Sequence, residues 1–174
     1  AEYITGQHIV EMCADISIFV PGRLLDDDGN VLLHFDNGAK GILHASQICA
    51  GEENNLNIRV YGEKGGLEWK QMEPNTLIVK WLDKQTQIYR TGVGPLYPEA
   101  TAHTRIPAGH PEGYLEAFAN IYRNFAFCVR ARMEVMEPDP MYLDFPSVQD
   151  GVRGMQFIEK VIASGKSKSK WVEM

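Results

Sequence analysis

The chain has 174 residues, of which 17 are basic and 23 acidic, giving a formal net charge of −6. This length suits one globular domain with a full hydrophobic core, and the acidic balance argues against nucleic acid or an anionic membrane as partner because no basic face is available. No apolar run reaches the roughly 20 residues that cross a bilayer, and the N-terminus lacks a signal-peptide layout, so we expect a soluble, cytoplasmic protein.

The first half of the chain predicts a meander of antiparallel strands. Ala1 to Gly6 has the character of a last helical turn ended by glycine, so we expect the helix to begin upstream and the chain to be part of a longer protein. Ile9 to Val20 is rich in strand-forming residues, and Pro21-Gly22 ends the run. Turn residues and alternation of apolar and polar positions predict the remaining strands. These are Val31–Phe35, Lys40–Ile48, Leu56–Tyr61, Leu67–Trp69, Asn75–Leu82 and Thr86–Arg90.

The second half of the chain predicts two helices. Apolar residues recur at helical spacing between Leu115 and Val129, which indicates a helix from Pro111 to about Arg132. Two prolines near residue 139 break the chain, and a second helix begins at Phe145-Pro-Ser147 and ends at Ser164-Gly165. Near the C-terminus, Trp171-Val172 can add a short edge strand.

A block of strands followed by helices predicts an α+β fold, with an open, mostly antiparallel sheet of six or seven strands and helices packed on one face. The apolar residues of the strands are too numerous for one helix layer to cover, so we expect the other face to be free for subunit association in a homo-oligomer. The residues counted here are Ile16, Ile18, Leu33, Phe35, Leu43, Ile58, Val60 and Trp81.

Glycine motifs that bind nucleotides are missing from the sequence. It contains neither a Gly-x-Gly-x-x-Gly after a strand nor a Gly-x-x-x-x-Gly-Lys-Ser/Thr, so we expect no nucleotide site built by this chain alone. The nearest glycine cluster is Gly62–Gly66. Its flanks both resemble strands, which favours a hairpin turn, because a phosphate cradle needs a helix behind its glycines.

One histidine of five has a position that suggests a function. His110 precedes Pro111-Glu112 at the predicted helix start, where backbone amides face an incoming anion or hydroxyl. It either contacts a substrate or caps the helix and fixes the loop. A metal site on His110 and Glu112 has no further ligands at a fixed spacing, so we expect none. The other histidines have no carboxylate or cysteine at ligand spacing and are interpreted as surface or sheet-face residues. These are His8, His34, His44 and His103.

The segment from Gln47 to Asn55 is polar and interrupts the strands. Its neutral amides, among them Gln47 and Asn54, suit the hydroxyl groups of polyols and sugars. An ordinary surface loop is the alternative, because exposed connections are usually polar.

Six segments, in order along nearly the whole chain, resemble the C-terminal domain of the glucose-fructose oxidoreductase, inositol dehydrogenase and MocA (Gfo/Idh/MocA) family. They are Asn37–Leu43, Ser46-Gln47, Gly51–Leu56, Arg59–Leu67, Pro107–Tyr114 and Asp150–Met155. The resemblance implies that residues 1–174 are a single C-terminal domain for substrate binding and oligomerisation. It also implies that an N-terminal Rossmann domain, absent from this chain, partners it and binds NAD or NADP.

The resemblance further implies hydride transfer between a sugar or polyol and the nicotinamide in the full-length parent enzyme. The family's catalytic Lys and its Asp-x-x-x-His motif would lie upstream of Ala1, so we expect no catalytic, cofactor-binding or metal-binding residue here and an inactive isolated chain. The substrate-binding candidates are His110, Arg105, Gln47, Asn54 and Tyr114. The alternative is a stand-alone, non-catalytic binding or scaffolding module with the same fold.

Overall fold

The computed structural model of the chain describes residues 1–174, which divide into two compact units. Residues 1–53 and 146–174 form the outer unit, and residues 54–145 form the central unit. None of the helices combines the length and apolar character needed to cross a membrane.

The two units together contain four helices, one 3-10 turn and eight strands. They are α1 (Glu2–Thr5), β1 (Ile9–Ser17), β2 (Asp28–Phe35), β3 (Lys40–Ser46), β4 (Asn57–Gly62), β5 (Gly65–Lys70), β6 (Thr76–Trp81), β7 (Gln87–Arg90), α2 (Pro98–Ala102), α3 (Tyr114–Met133), a 3-10 turn (Pro140–Tyr142), α4 (Val148–Lys166) and β8 (Trp171–Glu173).

The predicted α+β class with antiparallel strands and two long helices is confirmed, but the strands form two sheets. Sheet order is β3-β2-β1-β8 in the outer unit and β4-β5-β6-β7 in the central unit, with antiparallel pairing throughout. The break falls in the polar segment between Ser46 and Asn57. Gly51 and Asn54 have φ angles of 93° and 49° there, so the backbone leaves the extended region and β3 does not continue into β4.

The core of the outer unit lies between its sheet and α4. Alternate residues of β1 and β2 point to one face, where Phe157 and Val161 of α4 pack against them. The buried set is Ile9, Met12, Ala14, Val31, Leu33 and Phe35. Leu33 and Phe35 were among the apolar strand residues counted as too numerous for one helix layer to cover. Both lie on the face that α4 covers. One face of this sheet is covered by a helix, as predicted.

The central unit confirms one turn prediction and corrects one helix boundary. Gly62–Gly66 joins β4 and β5 as an antiparallel hairpin, as its strand-like flanks predicted. Helix α3 begins at Tyr114 instead of Pro111, because Gly113 is its N-cap residue and its backbone N–H donates to the Glu116 carboxylate at 2.8 Å. This hydrogen bond holds the pKa of Glu116 below its ordinary value.

The apolar stripe of α3 stays largely exposed in this unit, with Leu115 at 77% and Tyr122 at 70% exposure. The buried residues of the helix are polar, namely Asn120 and Asn124. Hydrogen bonds rather than apolar packing therefore hold the preceding loop against α3.

A bidentate ion pair joins α1 to α4 in the outer unit. Arg153 Nε and Nη2 donate to Glu2 Oε2 and Oε1 at 2.6 and 2.5 Å, and Glu2 Oε1 also accepts the Ile9 backbone N–H at 2.6 Å. Arg153 is the main cause that lowers the pKa of Glu2 below 4.5. A lowered carboxyl pKa stabilises the fold above the unfolded-state pKa, and the contribution is lost as pH falls through the folded-state pKa.

We expect Glu2→Gln to lower the free energy of unfolding by about 1.5–3 kcal/mol at pH 7, because charge-assisted hydrogen bonds are lost. The difference from wild type should shrink as pH falls below 4.5, where the wild-type carboxylate is protonated on unfolding. Urea denaturation across this pH range measures the effect. Glu159→Gln, an exposed change on α4, is the control; a pH-independent difference would contradict the assignment.

Ser164 ties the end of α4 to β1 and to the chain before β8. Its fully buried hydroxyl accepts the Ala14 backbone N–H at 2.7 Å and donates to the Lys170 carbonyl. Ser164→Ala should cost about 1–3 kcal/mol, because it leaves a buried N–H unpaired. Chemical denaturation beside Ser169→Ala, at an exposed hydroxyl, measures the cost. Equal stabilities of the two variants would contradict this role.

Candidate functional site

The loop before α3 is fixed by a buried carboxylate. Glu112 is only 9% exposed, and its Oε1 accepts the Arg105 backbone N–H at 2.6 Å. The Glu112 carbonyl accepts a hydrogen bond from the Asn75 amide at 2.9 Å. Glu112 thus fixes the loop that carries Arg105 and His110 at two points: at the Arg105 backbone and, through Asn75, beside the start of β6.

Arg105 lies against the first half of α3. Its Nε donates to Asn120 Oδ1 at 2.6 Å, and its Nη2 donates to the same oxygen. Asn120 in turn donates from Nδ2 to the His103 carbonyl at 2.8 Å. The buried amide of Asn120 therefore sets the direction of the Arg105 guanidinium.

Arg123 lies one position before Asn124 on the same helix and is held in a similar way. Its Nε and Nη2 donate to Asn124 Oδ1 at 3.3 and 3.1 Å, and Nη2 also donates to the Ala102 carbonyl at 3.0 Å. Burial, and then the positive charge of Arg105, hold the pKa of the Arg123 guanidinium below its ordinary value.

His103 joins this group, although no carboxylate or cysteine stands at ligand spacing from it in the sequence. Its Nδ1 lies 2.7 Å from the Glu99 carbonyl, which only accepts, so Nδ1 carries the proton. Its Nε2 then accepts from Asn124 Nδ2 at 3.1 Å, and Asp144 Oδ2 lies 3.7 Å away. Asn124 and Asp144 are distant from His103 in sequence, so spacing along the chain did not reveal them.

The other three histidines interpreted as surface or sheet-face residues also have carboxylate neighbours. His34 lies 3.0 Å from Glu11 across two strands, and His44 lies 3.1 Å from Asp28. His8 lies 4.0 Å from Glu2. Spacing along the chain did not reveal the pairs of His34 and His44, because cross-strand neighbours are set by the sheet register.

His110 is exposed, and its contacts are local. Its Nδ1 and its backbone N–H both lie near the Pro107 carbonyl, at 3.1 and 3.2 Å. It does not cap α3, whose N-cap residue is Gly113, so the capping alternative is wrong. The imidazole Nε2 is left to face solvent or a ligand.

Tyr114 and Asn54 are also exposed. The Tyr114 ring is 65% exposed and packs on Phe118 with ring centroids 4.7 Å apart. Asn54 adopts a left-handed backbone, and its carbonyl accepts from the Gln71 side chain at 3.1 Å. Neither residue shares a hydrogen bond with Arg105.

Gln47 belongs to the outer unit, where its backbone N–H donates to the Asp27 carbonyl at 2.8 Å. It lines a cavity of about 240 Å³ together with Asp28, Phe157 and Val161. Asp27 is buried, and its carboxylate accepts the backbone N–H groups of residues 19 and 20 at 2.8 and 2.9 Å, which hold its pKa below the ordinary value. Asp27 thus fixes the β1–β2 loop beside this cavity.

Asn120, Arg123 and Asn124 were not predicted as site residues. A signal was present, because Glu116, Asn120 and Asn124 recur at four-residue spacing on a helix that is mostly apolar in this part. Such a polar stripe indicates a face that packs on polar loop atoms. We call residues His103, Arg105, Asn120, Arg123 and Asn124 the α3 polar cluster.

The residues present do not fit a dinucleotide or a metal ion. All strand pairs are antiparallel, and the Gly62–Gly66 turn connects two strands, whereas a dinucleotide site needs a glycine turn between a strand and a helix. No group of three or more His, Cys, Asp or Glu side chains converges in a way that holds a metal ion.

The chain is similar to several oxidoreductases. The family model for the GFO/IDH/MocA C-terminal domain matches residues 1–68. An uncharacterized oxidoreductase of Bacillus subtilis strain 168, YfiI, is 35% identical over 166 residues, which are 95% of this chain and 42% of that protein.

Two solved structures have the same fold along 98% of the chain. An oxidoreductase from Sinorhizobium meliloti superposes with a TM-score of 0.93 at 39% identity, and the match covers 48% of its length. An inositol dehydrogenase homolog from Azotobacter vinelandii, solved with NADH and myo-inositol, superposes with a TM-score of 0.89 at 30% identity over 45% of its length. The chain thus spans less than half the length of these relatives.

Proposed function

This chain belongs to the GFO/IDH/MocA oxidoreductase family as its C-terminal domain, and on that premise we propose that it forms the substrate side of an NAD(P)-dependent enzyme. The family resemblance drawn from the six sequence segments is confirmed. We propose a sugar or polyol hydroxyl, or the corresponding carbonyl, as the reacting group. The cytoplasmic location stays a prediction.

The observation that carries this proposal is the likeness, over 98% of the chain, to a protein solved with both NADH and myo-inositol. The chain itself has no fit for the dinucleotide, so we assign it the substrate and not the cofactor. The nicotinamide, held by a separate nucleotide-binding domain, would accept or supply the hydride. The chain's residues would bind and orient the polyol.

The substrate contacts proposed for the central unit are Arg105, His110, Tyr114 and Asn54. Arg105 is directed by a buried amide, and the anchored loop presents an exposed His110 imidazole. Groups fixed in this way reduce the entropy lost when the reacting carbon is placed near a cofactor. Gln47, beside the cavity of the outer unit, is proposed as a further hydroxyl contact.

Nucleotide binding tests this division of roles. Titrated into NADH, the 174-residue chain should leave the cofactor fluorescence unchanged, whereas the complete gene product that contains these residues should change it saturably. Tight NADH binding by the chain alone would overturn the proposal. Absence of binding by the complete gene product would favour the non-catalytic module instead.

We also propose that the open face of the outer-unit sheet associates with a second subunit. On this face, turned away from α4, Leu32 and Ile42 are 46% and 80% exposed, and Trp171 stacks on His34 at 4.2 Å. Light scattering of the complete gene product should show an oligomer that Ile42→Asp dissociates. Val148→Asp, at an exposed position of α4, is the control. A monomeric wild-type protein would contradict the association.

A further inference from the structure

The two arginines of the α3 polar cluster have only neutral partners for the hydrogen bonds described above. Arg105 donates to Asn120, while Arg123 donates to Asn124 and to a backbone carbonyl. Both asparagines are nearly inaccessible, at 8% and 0% exposure. Buried amides orient a guanidinium well but do not neutralise its charge.

The neighbouring carboxylates are directed to other groups. Glu112 accepts the backbone N–H of Arg105, and Asp144 approaches His103 at 3.7 Å. Burial and the positive charge of Arg105 both hold the pKa of Arg123 below its ordinary value. The hydrogen bonds of the two arginines therefore leave their positive charges available to an anion from outside the chain.

The geometry leaves part of each guanidinium accessible. The hydrogen bonds use Nε and Nη2 of both arginines. Arg105 is exposed and Arg123 is half-buried, and the Nη1 atoms take no part in these hydrogen bonds, so each guanidinium keeps an Nη1 group for a ligand. The Arg123 guanidinium also lies 5.7 Å from the ring centroids of Phe127 and Tyr142, and these contacts limit its movement.

We propose that Arg105 and Arg123 together bind the anionic group of a small ligand, a carboxylate or a phosphate. Two fixed guanidinium groups match the oxygens of such an anion better than they match a neutral hydroxyl. The inference rests on the proposed function, because Arg105 is one of its substrate contacts. It makes the substrate an acidic sugar or polyol, either a sugar acid or a sugar phosphate.

Direct binding to the 174-residue chain provides the test. Inorganic phosphate and D-gluconate are titrated at constant ionic strength, with the arginine Nε–H signals followed by NMR and myo-inositol as the neutral comparison. We expect saturable shifts at Arg105 and Arg123 with at least one anion. The tighter probe distinguishes phosphate from carboxylate.

Two variants separate binding from folding. Arg123→Gln should weaken anion binding by roughly tenfold or more, the effect of losing one charged hydrogen bond. Arg123→Lys keeps the charge and should retain part of the affinity. Arg130→Gln, on an exposed part of the same helix, should leave it unchanged. Absence of saturable binding, or equal affinity of folded Arg123→Gln and wild type, would overturn the inference.

Anion binding and NADH formation test the anion site and the proposed function separately. Anion binding without NADH formation from any sugar would leave the anion site standing and refute the oxidoreductase role. Oxidation of neutral polyols with no anion binding, and with unchanged kcat/KM in Arg123→Lys, would support the oxidoreductase role and refute the anion site.

Discussion

Met12→Ala is expected to lower the free energy of unfolding by about 2–5 kcal/mol. Met12 is fully buried in β1, where it is paired with Leu33 of β2 and Val172 of β8. The change removes apolar contacts on the helix-covered face and leaves a cavity that the surrounding strands cannot close. Urea denaturation followed by circular dichroism measures the loss.

The control for this prediction is Met155→Ala, because Met155 lies on α4 in the same unit and is 58% exposed. Its truncation should change the free energy of unfolding by less than about 0.5 kcal/mol. A similar small effect at Met12 would contradict the position assigned to the core of the outer unit.

Gly65→Ala should destabilise the central unit by about 3 kcal/mol or more, because the added methyl group has no space. A Cβ at Gly65 would lie 2.2 Å from the Lys80 carbonyl oxygen and 3.2 Å from the Trp81 Cα atom. Both are backbone atoms of β6, so relief requires the β5–β6 pair to separate. Chemical denaturation followed by tryptophan fluorescence reports this, since Trp69 and Trp81 lie on these strands.

The matched control lies in the same hairpin. A Cβ at Gly62 would approach only the Gly65 carbonyl, at 3.8 Å, which is an ordinary contact. Gly62→Ala should therefore cost much less than Gly65→Ala. Equal stabilities of the two variants would be incompatible with the strand pairing described for the central unit.

Local signals account for the parts of the fold that the sequence predicted. The Asn37-Gly38 dipeptide marks the β2–β3 turn, where Gly38 has a φ of 86°, and Ser147 with Asp150 marks the start of α4. These residues act on neighbours within three or four positions. Their effect can therefore be predicted from the sequence without the tertiary structure.

The division into two sheets depended on long-range pairing. The three-residue strand β8 pairs with β1, placing Trp171 opposite Cys13. The sequence offered a short edge strand at Trp171 but no means of choosing its neighbour. Because the strands were predicted one after another, they were assigned to a single sheet. In the structure the sheet ends where Gly51 and Asn54 turn the backbone away from the extended conformation.

The site was predicted only in part for a related reason. Arg105 was selected by its position before a helix, but its partner Asn120 lies 15 positions further along the chain. His103 and Asn124 are 21 positions apart, so no short motif contains both. The members of the α3 polar cluster could be identified only once the path of the loop along α3 was known.

Steady-state formation of NADH shows whether this chain presents a polyol or sugar to a nicotinamide cofactor. The complete gene product is assayed at 340 nm with NAD⁺ and a panel that contains myo-inositol and D-gluconate, and Arg105→Gln is compared with Arg130→Gln. We expect turnover of at least one compound, with kcat/KM lowered roughly tenfold or more in Arg105→Gln and unchanged in Arg130→Gln. Full activity in Arg105→Gln, or no turnover of any sugar or polyol with NAD⁺ or NADP⁺, would contradict it.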